Sequence, residues 1–184
     1  MQPFPIITTK KLILRKIEEN DIPTILELMK EKAISEVTLN IPFPYSENDA
    51  RFWINMARKG FENKNQYIFG IEDAATNKFI GVIDLAIEPN FDRAEIGYWL
   101  GKHYWNKGYC SEALATIINF GFEQLNLNKI FGVHIFENPA SGKVMQKCGL
   151  QKEGELIDHI KKGDKYFSYV QYGITKNLWK QSMQ

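Results

Sequence analysis

The stretch from Ala94 to Leu114 reads AEIGYWLGKHYWNKGYCSEAL, and it decides the fold. Its pattern predicts a strand over Ala94–Leu100, a short loop that contains Gly108, and a helix that begins near Ser111. The first turn of a helix carries unpaired backbone N–H groups and the positive end of the helix dipole. A glycine loop that feeds such a helix start is therefore suited to a phosphate or a pyrophosphate.

Neighbouring residues strengthen this interpretation of the loop. Lys102 and Lys107 supply positive charge, and Ser111 can cap the helix or bond a phosphate oxygen. The chain has no G-x-G-x-x-G turn followed by an acidic residue on a second parallel strand, which excludes a Rossmann site. It also lacks G-x-x-x-x-G-K-S/T, which excludes a P-loop. The sequence therefore predicts a phosphate-bearing cofactor of another class.

Length and composition set further bounds on the protein. With 184 residues and 44% hydrophobic residues, the chain is expected to form a single domain over residues 1–184. The formal net charge of +1 gives no reason to expect binding to nucleic acid or to an anionic membrane. Cys110 and Cys148 lack metal-ligand spacing, so no metal site is expected. There is no signal segment or long apolar run, and we expect a cytoplasmic protein.

Hydrophobic periodicity predicts a mixed α/β (α+β) chain in the order β-α-α-β-β-β-α-β-α-β-β, with one central sheet of about seven strands and helices on both faces. The segment Ser35–Tyr45 carries two prolines and is expected to be irregular. The early strands should form an antiparallel meander, and residues 94–136 a parallel pair with a right-handed crossover. The predicted strands are Lys11–Ile17, Gln66–Glu72, Lys78–Ile87, Ala94–Leu100, Lys129–Phe136, Leu150–Ile160 and Tyr166–Ile174; the predicted helices run from Ile22 to about Lys32, from Ser46 to Gly60, over Ser111–Leu125, and from Asn138 to Gly149.

Three separated motifs carry a resemblance to a known family. They are AEIGYWL, YWNKGYCSEAL and FENPASGKVMQKCGLQKEGEL, and they occur in the family's order and spacing. The chain resembles the GCN5-related N-acetyltransferase (GNAT) superfamily, in particular the branch of the bacterial ribosomal-protein N-terminal acetyltransferases RimJ and RimL. The opening TTKKLILRKIEENDI and the segment IPFPYSENDARFWI extend the likeness over nearly the whole chain. The resemblance implies the GNAT fold and acetyl-CoA as co-substrate.

The resemblance also implies roles for individual residues at the cofactor. The family's loop Q/R-x-x-G-x-G/A corresponds to residues 105–110, where Trp105 replaces Gln or Arg and Cys110 replaces Gly or Ala. The amides of this loop and of the helix start are expected to hold the pyrophosphate, and the preceding strand end is expected to pair with the pantetheine arm. Asn138, which is also a predicted helix cap, would bond the same arm, and Lys143 would reach the 3′-phosphate. The implied cofactor residues are Trp99, Leu100, Gly101, Lys107, Gly108, Tyr109, Cys110, Ser111, Asn138 and Lys143.

Acetyl transfer requires a base for the acceptor ammonium and a proton for the departing thiolate. Glu95, on the strand that leads to the loop, is the first candidate for the base, while the resemblance places Ser141 near the thioester sulfur. His134 titrates in a suitable range, although a lone strand histidine is more often a core residue. The aromatic segment with Phe43, Tyr45 and Trp53 is expected to wall the acceptor site, with His134 as a further acceptor residue; packing of the first helices is the alternative.

The sequence thus predicts an N-acetyltransferase that works by direct attack of a primary amine on acetyl-CoA. The α-amine of a protein N-terminus, on a ribosomal protein in particular, is the favoured acceptor. Two alternatives stay open: acetylation of a small amine such as a polyamine, aminoglycoside or amino acid, and a non-catalytic acyl-CoA-binding module. A covalent route through Cys110 is disfavoured, because this residue lies at the phosphate loop. Either a monomer or a homodimer is compatible with the sequence.

Overall fold

The computed structural model describes residues 3–182. Within this range, eight strands form one mixed sheet in the order β1-β2-β3-β4-β5-β6-β8-β7. The strands are β1 (Ile7–Thr8), β2 (Leu12–Lys16), β3 (Gln66–Asp73), β4 (Lys78–Glu88), β5 (Arg93–Leu100), β6 (Lys129–Ile135), β7 (Gln151–Lys162) and β8 (Lys165–Thr175). The helices are α1 (Ile22–Met29), α2 (Lys32–Val37), α3 (Glu47–Glu62), α4 (Tyr109–Glu123), α5 (Pro139–Lys147) and α6 (Lys176–Ser182).

The sheet has the predicted mixture of strand directions. Strands β1 to β5 pair in antiparallel fashion with their sequence neighbours. Strands β5 and β6, joined by α4, form the parallel pair. Strand β8 then lies antiparallel to both β6 and β7. The prediction of an antiparallel meander followed by a parallel crossover is confirmed.

Side chains alternate between the two faces of the sheet, and helices cover both. On the face that carries Ile96 of β5, the core includes residues of α4 and α5 such as Leu114 and Met145. On the face that carries Trp99, a second core joins Val82 of β4 to Ile25 and Met29 of α1. We call these the Ile96 face and the Trp99 face.

The strand count is eight rather than about seven because β1 contributes two extra residues at the edge. Helix α2 occupies Lys32–Val37 and so overlaps the segment expected to be irregular; it ends before the prolines begin. Helix α3 does not stop at Gly60 but runs to Glu62, and the glycine serves packing instead, since a Cβ there would lie 2.7 Å from Gln66 Cβ.

Helix α6 was not predicted from the sequence pattern. It is held by a tertiary contact, the packing of Trp179 on Phe122 with ring centroids 5.2 Å apart. Such a contact between distant residues leaves little trace in local periodicity. No helix among the described residues is both long and apolar enough to cross a membrane.

Candidate active site

Strands β5 and β6 separate after a very short paired region. Only Arg93–Glu95 pair with Lys129–Phe131, although both strands continue for several residues. Beyond this point β5 remains paired with β4 and β6 remains paired with β8. A wedge-shaped gap therefore opens in the middle of the sheet, with Glu95 at its apex.

The edge of β5 offers backbone groups to this gap. The amide of Gly101 donates to the carbonyl of Ile80 at 2.9 Å, on the β4 side. Because successive residues direct their backbone groups to opposite sides, Tyr98 and Leu100 present theirs to the gap. The Leu100 carbonyl accepts from Trp105 Nε1 at 2.8 Å, so its amide is the group left open. The amides of Trp99 and Gly101 are directed towards β4, which leaves them poorly placed for an added chain.

The loop after β5 has the conformation of an anion site. Asn106 and Gly108 both have positive φ, at 59° and 82°, and Gly108 is the residue before the first turn of α4. Within the described chain, no acceptor is found for the amides of Tyr109, Cys110 and Ser111. Three N–H groups at a helix start can bind a pyrophosphate, so this arrangement fits the predicted ligand.

Lys11 is a further cation at this loop, and nothing in its local sequence marks it as part of the site. Its Nζ lies 4.0 Å from the position that a Cβ of Gly108 would occupy, and 6.0 Å from the Tyr109 ring centroid. The side chain of Glu112 in the first turn of α4 fixes this placement. It accepts from the Lys11 amide at 2.8 Å and from Thr9 Oγ1 at 2.7 Å. The carboxylate at this helix start is therefore structural.

A hydrogen bond joins the two sides of the gap on the Ile96 face. The Tyr98 hydroxyl lies 2.7 Å from Ser141 Oγ and 3.1 Å from the Ser141 carbonyl oxygen. Burial raises the pKa of Tyr98 well above its usual range, so the phenol stays protonated. Ser141 thus has a neutral hydroxyl partner, and the pair can pass a proton towards the gap. Tyr98 was missed because its neighbour in space comes 43 residues later.

Helices α1 and α2 bridge the mouth of the gap. Leu28 of α1 packs against Gly101 at the end of β5. At the end of β6, Asn138 Nδ2 donates to the carbonyl of Val37 in α2 at 3.3 Å, and its Oδ1 accepts from the Ser141 amide at 3.4 Å. Asn138 is thus the cap of α5, as predicted, and its amide group also ties α2 to the site.

Three residues form an open floor on the Trp99 face, beside the apex. Gly97 is exposed, and Glu95 and Asp84 are half-buried. Asp84 lies opposite Gly97 across the sheet, and a Cβ at Gly97 would be 2.5 Å from Asp84 Oδ1. The missing side chain at position 97 therefore lets the carboxylate of Asp84 extend over β5.

Both carboxylates of this floor are shifted towards the neutral form. Burial raises the pKa of Asp84 to about 7, opposed by a hydrogen bond from Gln66 Nε2 at 3.0 Å and by the Gly97 backbone, and the charge of Glu95 adds to the rise. Burial also raises the pKa of Glu95, with a further contribution from Glu88 that Arg93 opposes. Asp84 was missed because nothing in β4 alone marks it as part of a site.

The aromatic segment lies on the same face as this floor. Tyr45 and Trp53 pack at the border of the core that contains Trp99 and Val82. Burial raises the pKa of Tyr45 to about 12. Phe43 is 46% exposed and so remains available for contact. The packing role considered for Tyr45 and Trp53 is present, and the same residues flank an accessible surface.

Two predicted residues lie away from this cleft. His134 is buried on the Ile96 face, where its Nδ1 lies 2.7 Å from the Ile135 carbonyl and its ring stacks on Tyr172. A Cβ at Gly142 of α5 would be 2.6 Å from His134 Nε2, so α5 covers the ring. The hypothesis of an acceptor-binding histidine therefore does not fit, and the core alternative does.

The side chain of Lys143 also lies away from the gap between β5 and β6. It lines a shallow surface cavity of about 340 Å³, together with His134, Lys152 and Glu155, between α5 and the β7–β8 hairpin. Ser141, on the opposite side of the same helix, is the residue that meets Tyr98. This separation argues against a contact of Lys143 with the 3′-phosphate.

Neither cysteine thiol of this region is suited to act as a nucleophile. Burial raises the pKa of Cys110 to about 12 and that of Cys148 to about 11, so neither sulfur ionises appreciably near neutral pH. Cys148 Sγ donates to the Ser111 carbonyl at 3.3 Å. Within residues 3–182 there is no cluster of three or more potential metal ligands.

Comparisons with known proteins agree with this geometry. Residues 11–151 match the model of the acetyltransferase (GNAT) domain. The chain therefore belongs to the GNAT acetyltransferase family. It is 32% identical over 174 residues to the uncharacterized N-acetyltransferase YnaD of Bacillus subtilis, a match that covers 94% of this chain and 98% of that protein.

Other similar proteins differ in the acceptors given for them. The putative ribosomal N-acetyltransferase YdaF of Bacillus subtilis is 31% identical over 87 residues, 47% of this chain and 48% of that protein. The spermidine N(1)-acetyltransferase of Vibrio cholerae is 26% identical over 152 residues, 82% of this chain and 84% of that protein. The structure of RimL, the ribosomal L7/L12 alpha-N-protein acetyltransferase in complex with coenzyme A, has the same fold, with a TM-score of 0.85 at 22% identity, covering 93% of this chain and 98% of that one.

The fold, the family and the site together define the activity class. The protein is an acetyl-CoA-dependent N-acetyltransferase. The open loop amides and the unpaired edge of β5 fit the diphosphate and the amide-containing arm of this co-substrate, which supplies the acetyl group as a thioester.

Proposed function

We propose that the protein transfers the acetyl group of acetyl-CoA to the α-amine at the N-terminus of a protein, by direct attack and within the cytoplasm. The observation that carries the proposal is the open floor of Gly97, Glu95 and Asp84 on the Trp99 face, beside the apex of the gap. It supplies carboxylates for an ammonium group and leaves room for a chain. We treat residues 1–184 as one domain that holds the whole site.

In this proposal the loop and the start of α4 hold the pyrophosphate. The donors are the amides of Lys107, Gly108, Tyr109, Cys110 and Ser111, and Lys11 and Lys107 add charge. The pantetheine arm runs along β5 and bonds to the open groups of Tyr98 and Leu100. The thioester then lies towards the apex, because β5 leads from the apex to the pyrophosphate loop.

The chemistry begins with an ammonium ion that must lose a proton. The carboxylate of Glu95 binds this ammonium and is the charged group that lies nearest to it. The neutral amine attacks the thioester carbonyl carbon, the carbon–sulfur bond breaks, and the thiolate of coenzyme A leaves. Ser141, backed by Tyr98, returns a proton to the thiolate, and the amide of Leu100 stabilises the oxyanion. A coenzyme A thiolate is a fair leaving group, so we expect the help from Ser141 to be modest.

An N-terminal α-amine is favoured as the acceptor by the walls of the cleft. Phe43, Tyr45 and Trp53 offer aromatic surface on the Trp99 face, which suits the first side chains of a peptide. The relation to YdaF, described as a putative ribosomal N-acetyltransferase, supports a ribosomal-protein acceptor. The long, exposed hairpin of β7 and β8 bounds the same region through Tyr169, whose pKa is raised by burial and by the charge of Glu95.

A matched peptide panel tests this acceptor. Purified protein is incubated with acetyl-CoA and peptides that have a free N-terminus and no lysine, next to the same peptides with a formylated N-terminus. Thiol release and a mass gain of one acetyl group are expected only for the free N-termini. A third set, formylated peptides with one added lysine, tests side-chain amines; rates for this set equal to those of the free N-termini would move the assignment to the lysine side chain.

A small polyamine is the second candidate, and a specific observation favours it. Asp84 and Glu95 place two carboxylates on one floor, which suits a molecule with several ammonium groups. The relation to a spermidine N(1)-acetyltransferase points the same way. Spermidine is therefore included in the panel, and turnover of spermidine with no turnover of any peptide would replace the first candidate by the second.

A further inference from the structure

The carboxylate of Asp84 is a half-buried member of the acceptor floor, but the transfer steps above give it no proton to accept or donate. It projects from β4, yet its Oδ1 lies over Gly97 of β5, on the strand that borders the gap. Glu95 is its diagonal neighbour, because Asp84 pairs with Gly97 and Ala86 pairs with Glu95. Residues in diagonal positions on neighbouring strands lie about 7–8 Å apart, measured between their backbone positions. At this separation two carboxylate side chains can both reach one ammonium group.

We propose that Asp84 is the base that removes the proton from the acceptor ammonium, while Glu95 holds that ammonium in place. This inference rests on the proposed direct-attack function and deepens it. Asp84 takes one proton from the ammonium and releases it to solvent after turnover. The amine loses a second proton once its nitrogen has bonded to the carbonyl carbon, and the thiolate gains one. The sum is one acetylamide, one thiol and one proton released.

The surroundings of Asp84 suit a base that works near neutral pH. Its pKa of about 7 matches the pH at which a general base is most effective. Gln66 on β3 holds Oδ2, and Gln66 itself is fixed by the close packing of Gly60 in α3. The charged groups nearby are Glu95 on β5, with Arg93 and Glu88 beside it.

Glu95 differs from Asp84 in a way that suits a binding role. Arg93 opposes the rise in the pKa of Glu95, which keeps this carboxylate charged more readily. Within the described chain, Asp84 has no basic group among the causes of its shift. Glu95 therefore suits the charged group that holds the ammonium, and Asp84 suits the base that accepts its proton.

Three isosteric variants test this division, with whichever acceptor of the panel, peptide or spermidine, the wild type acetylates. Asp84→Asn should lower kcat by about 10²–10⁴-fold and remove the rise of kcat/KM with pH near 7, at an unchanged KM for acetyl-CoA. Gln66→Met removes the hydrogen bond that favours the carboxylate, so the rise should move to higher pH. Glu95→Gln removes a like charge, so the rise should move to lower pH while KM for the acceptor increases.

Two results would overturn the proposal. One is an Asp84→Asn enzyme with the wild-type pH profile. The other is a rise near pH 7 that disappears in Glu95→Gln but persists in Asp84→Asn, which would make Glu95 the base. Turnover of spermidine in place of peptides would instead remove the favoured acceptor and leave the assignment of Asp84 intact, so the two failures are distinguishable.

A stability measurement completes the test and needs no acceptor. In the wild type, a folded-state pKa raised above the unfolded value of 3.8 means that the folded protein binds more protons between about pH 4 and pH 7. Its stability should therefore fall as the pH rises through this window. Asp84→Asn lacks this titration, so its melting temperature should exceed that of the wild type at pH 8 but not at pH 4. Parallel melting curves of the two proteins would show that Asp84 titrates normally, and the proposal would fail.

Discussion

In the proposed site, the cofactor half consists mainly of backbone groups from one continuous stretch, whereas the acceptor half is assembled from side chains on separate strands. The first half comprises the edge of β5, the loop up to Gly108 and the start of α4. The second comprises Asp84, Glu95 and Gly97, with Tyr45 and Trp53 at their flank. Backbone groups tolerate most changes of side chain, while the acceptor floor changes with single substitutions. This difference explains how one family keeps its co-substrate and varies its acceptor.

Among the changes that distinguish the two halves, we expect the largest effect at Gly97. Gly97→Val places a side chain over the floor and displaces the carboxylate of Asp84, because a Cβ at this position lies 2.5 Å from Oδ1. We expect kcat/KM for the amine to fall by about 100-fold or more, since small displacements of a reacting group have effects of this size. The affinity for acetyl-CoA, measured by calorimetry, should stay within about twofold.

The control for this variant is Gly154→Val, the same change in β7. Gly154 is also a strand glycine, and a Cβ there meets nothing within 4 Å. Wild-type kinetics are expected. A Gly97→Val enzyme that lost acetyl-CoA binding as strongly as amine turnover would erase the distinction between the halves.

The contrast between local backbone features and side chains brought together by strand pairing also decides how much of each half the sequence predicts. The helix start after Gly108 and the cap at Asn138 are local features; the cap was predicted at the right residue, and the helix start two residues late, near Ser111. Asp84 belongs to the floor only because β4 and β5 pair in the register that sets it against Gly97. That register is a property of the folded sheet, so the pattern of β4 alone indicates a core strand.

The orientation of His134 depends on a strand register in the same way. Glu95 pairs with Phe131 at the apex, so Phe131 and Val133 share the face of Glu95, and His134 turns to the other face. A shift of one residue in the β5–β6 register would place His134 on the face of Glu95. The sequence contains no local signal for that register, whereas the helix pattern of α4 carries its own.

The second-largest effect is expected in the cofactor half, at Gly108. Its φ of 82° is unfavourable for a β-branched residue by about 1–2 kcal/mol, and its open side faces the proposed pyrophosphate. Gly108→Val should therefore weaken acetyl-CoA binding by about 10–100-fold, because binding requires the strained loop and a close approach of the ligand. Apart from its neighbours in the chain, only Lys11 Nζ among residues 3–182 comes as near as 4.0 Å to the new Cβ, so the fold should persist.

Gly163→Val provides the matched control for backbone strain. Gly163 also has positive φ, at 60°, and open space around it, but it lies at the turn between β7 and β8. We expect a small loss of stability and unchanged affinity for acetyl-CoA. Wild-type affinity in Gly108→Val would show that the pyrophosphate binds elsewhere.

A smaller effect is expected at Lys11, which supplies charge to the same loop. Lys11→Met should weaken acetyl-CoA binding by about two- to fivefold at low salt, in keeping with the modest strength of exposed charge pairs. The difference from the wild type should shrink at high ionic strength because salt screens exposed charges. Lys10→Met changes the net charge equally one residue away, and an equal loss of affinity there would reduce the effect to overall charge.

The smallest effect is expected at Cys110, and it bears on how the two halves cooperate. Direct attack requires both substrates to be bound together, whereas a covalent route would let the cofactor half react alone. With a pKa of about 12, the thiol of Cys110 is ionised in only about one molecule in 10⁵ at pH 7, too few for a nucleophile. Cys110→Ala should therefore keep kcat within about twofold, as should Cys148→Ala, the control at the neighbouring thiol. Incubation of the wild type with acetyl-CoA alone should leave its mass unchanged; an acetylated protein that Cys110→Ala cannot form would mean that the cofactor half carries out chemistry by itself.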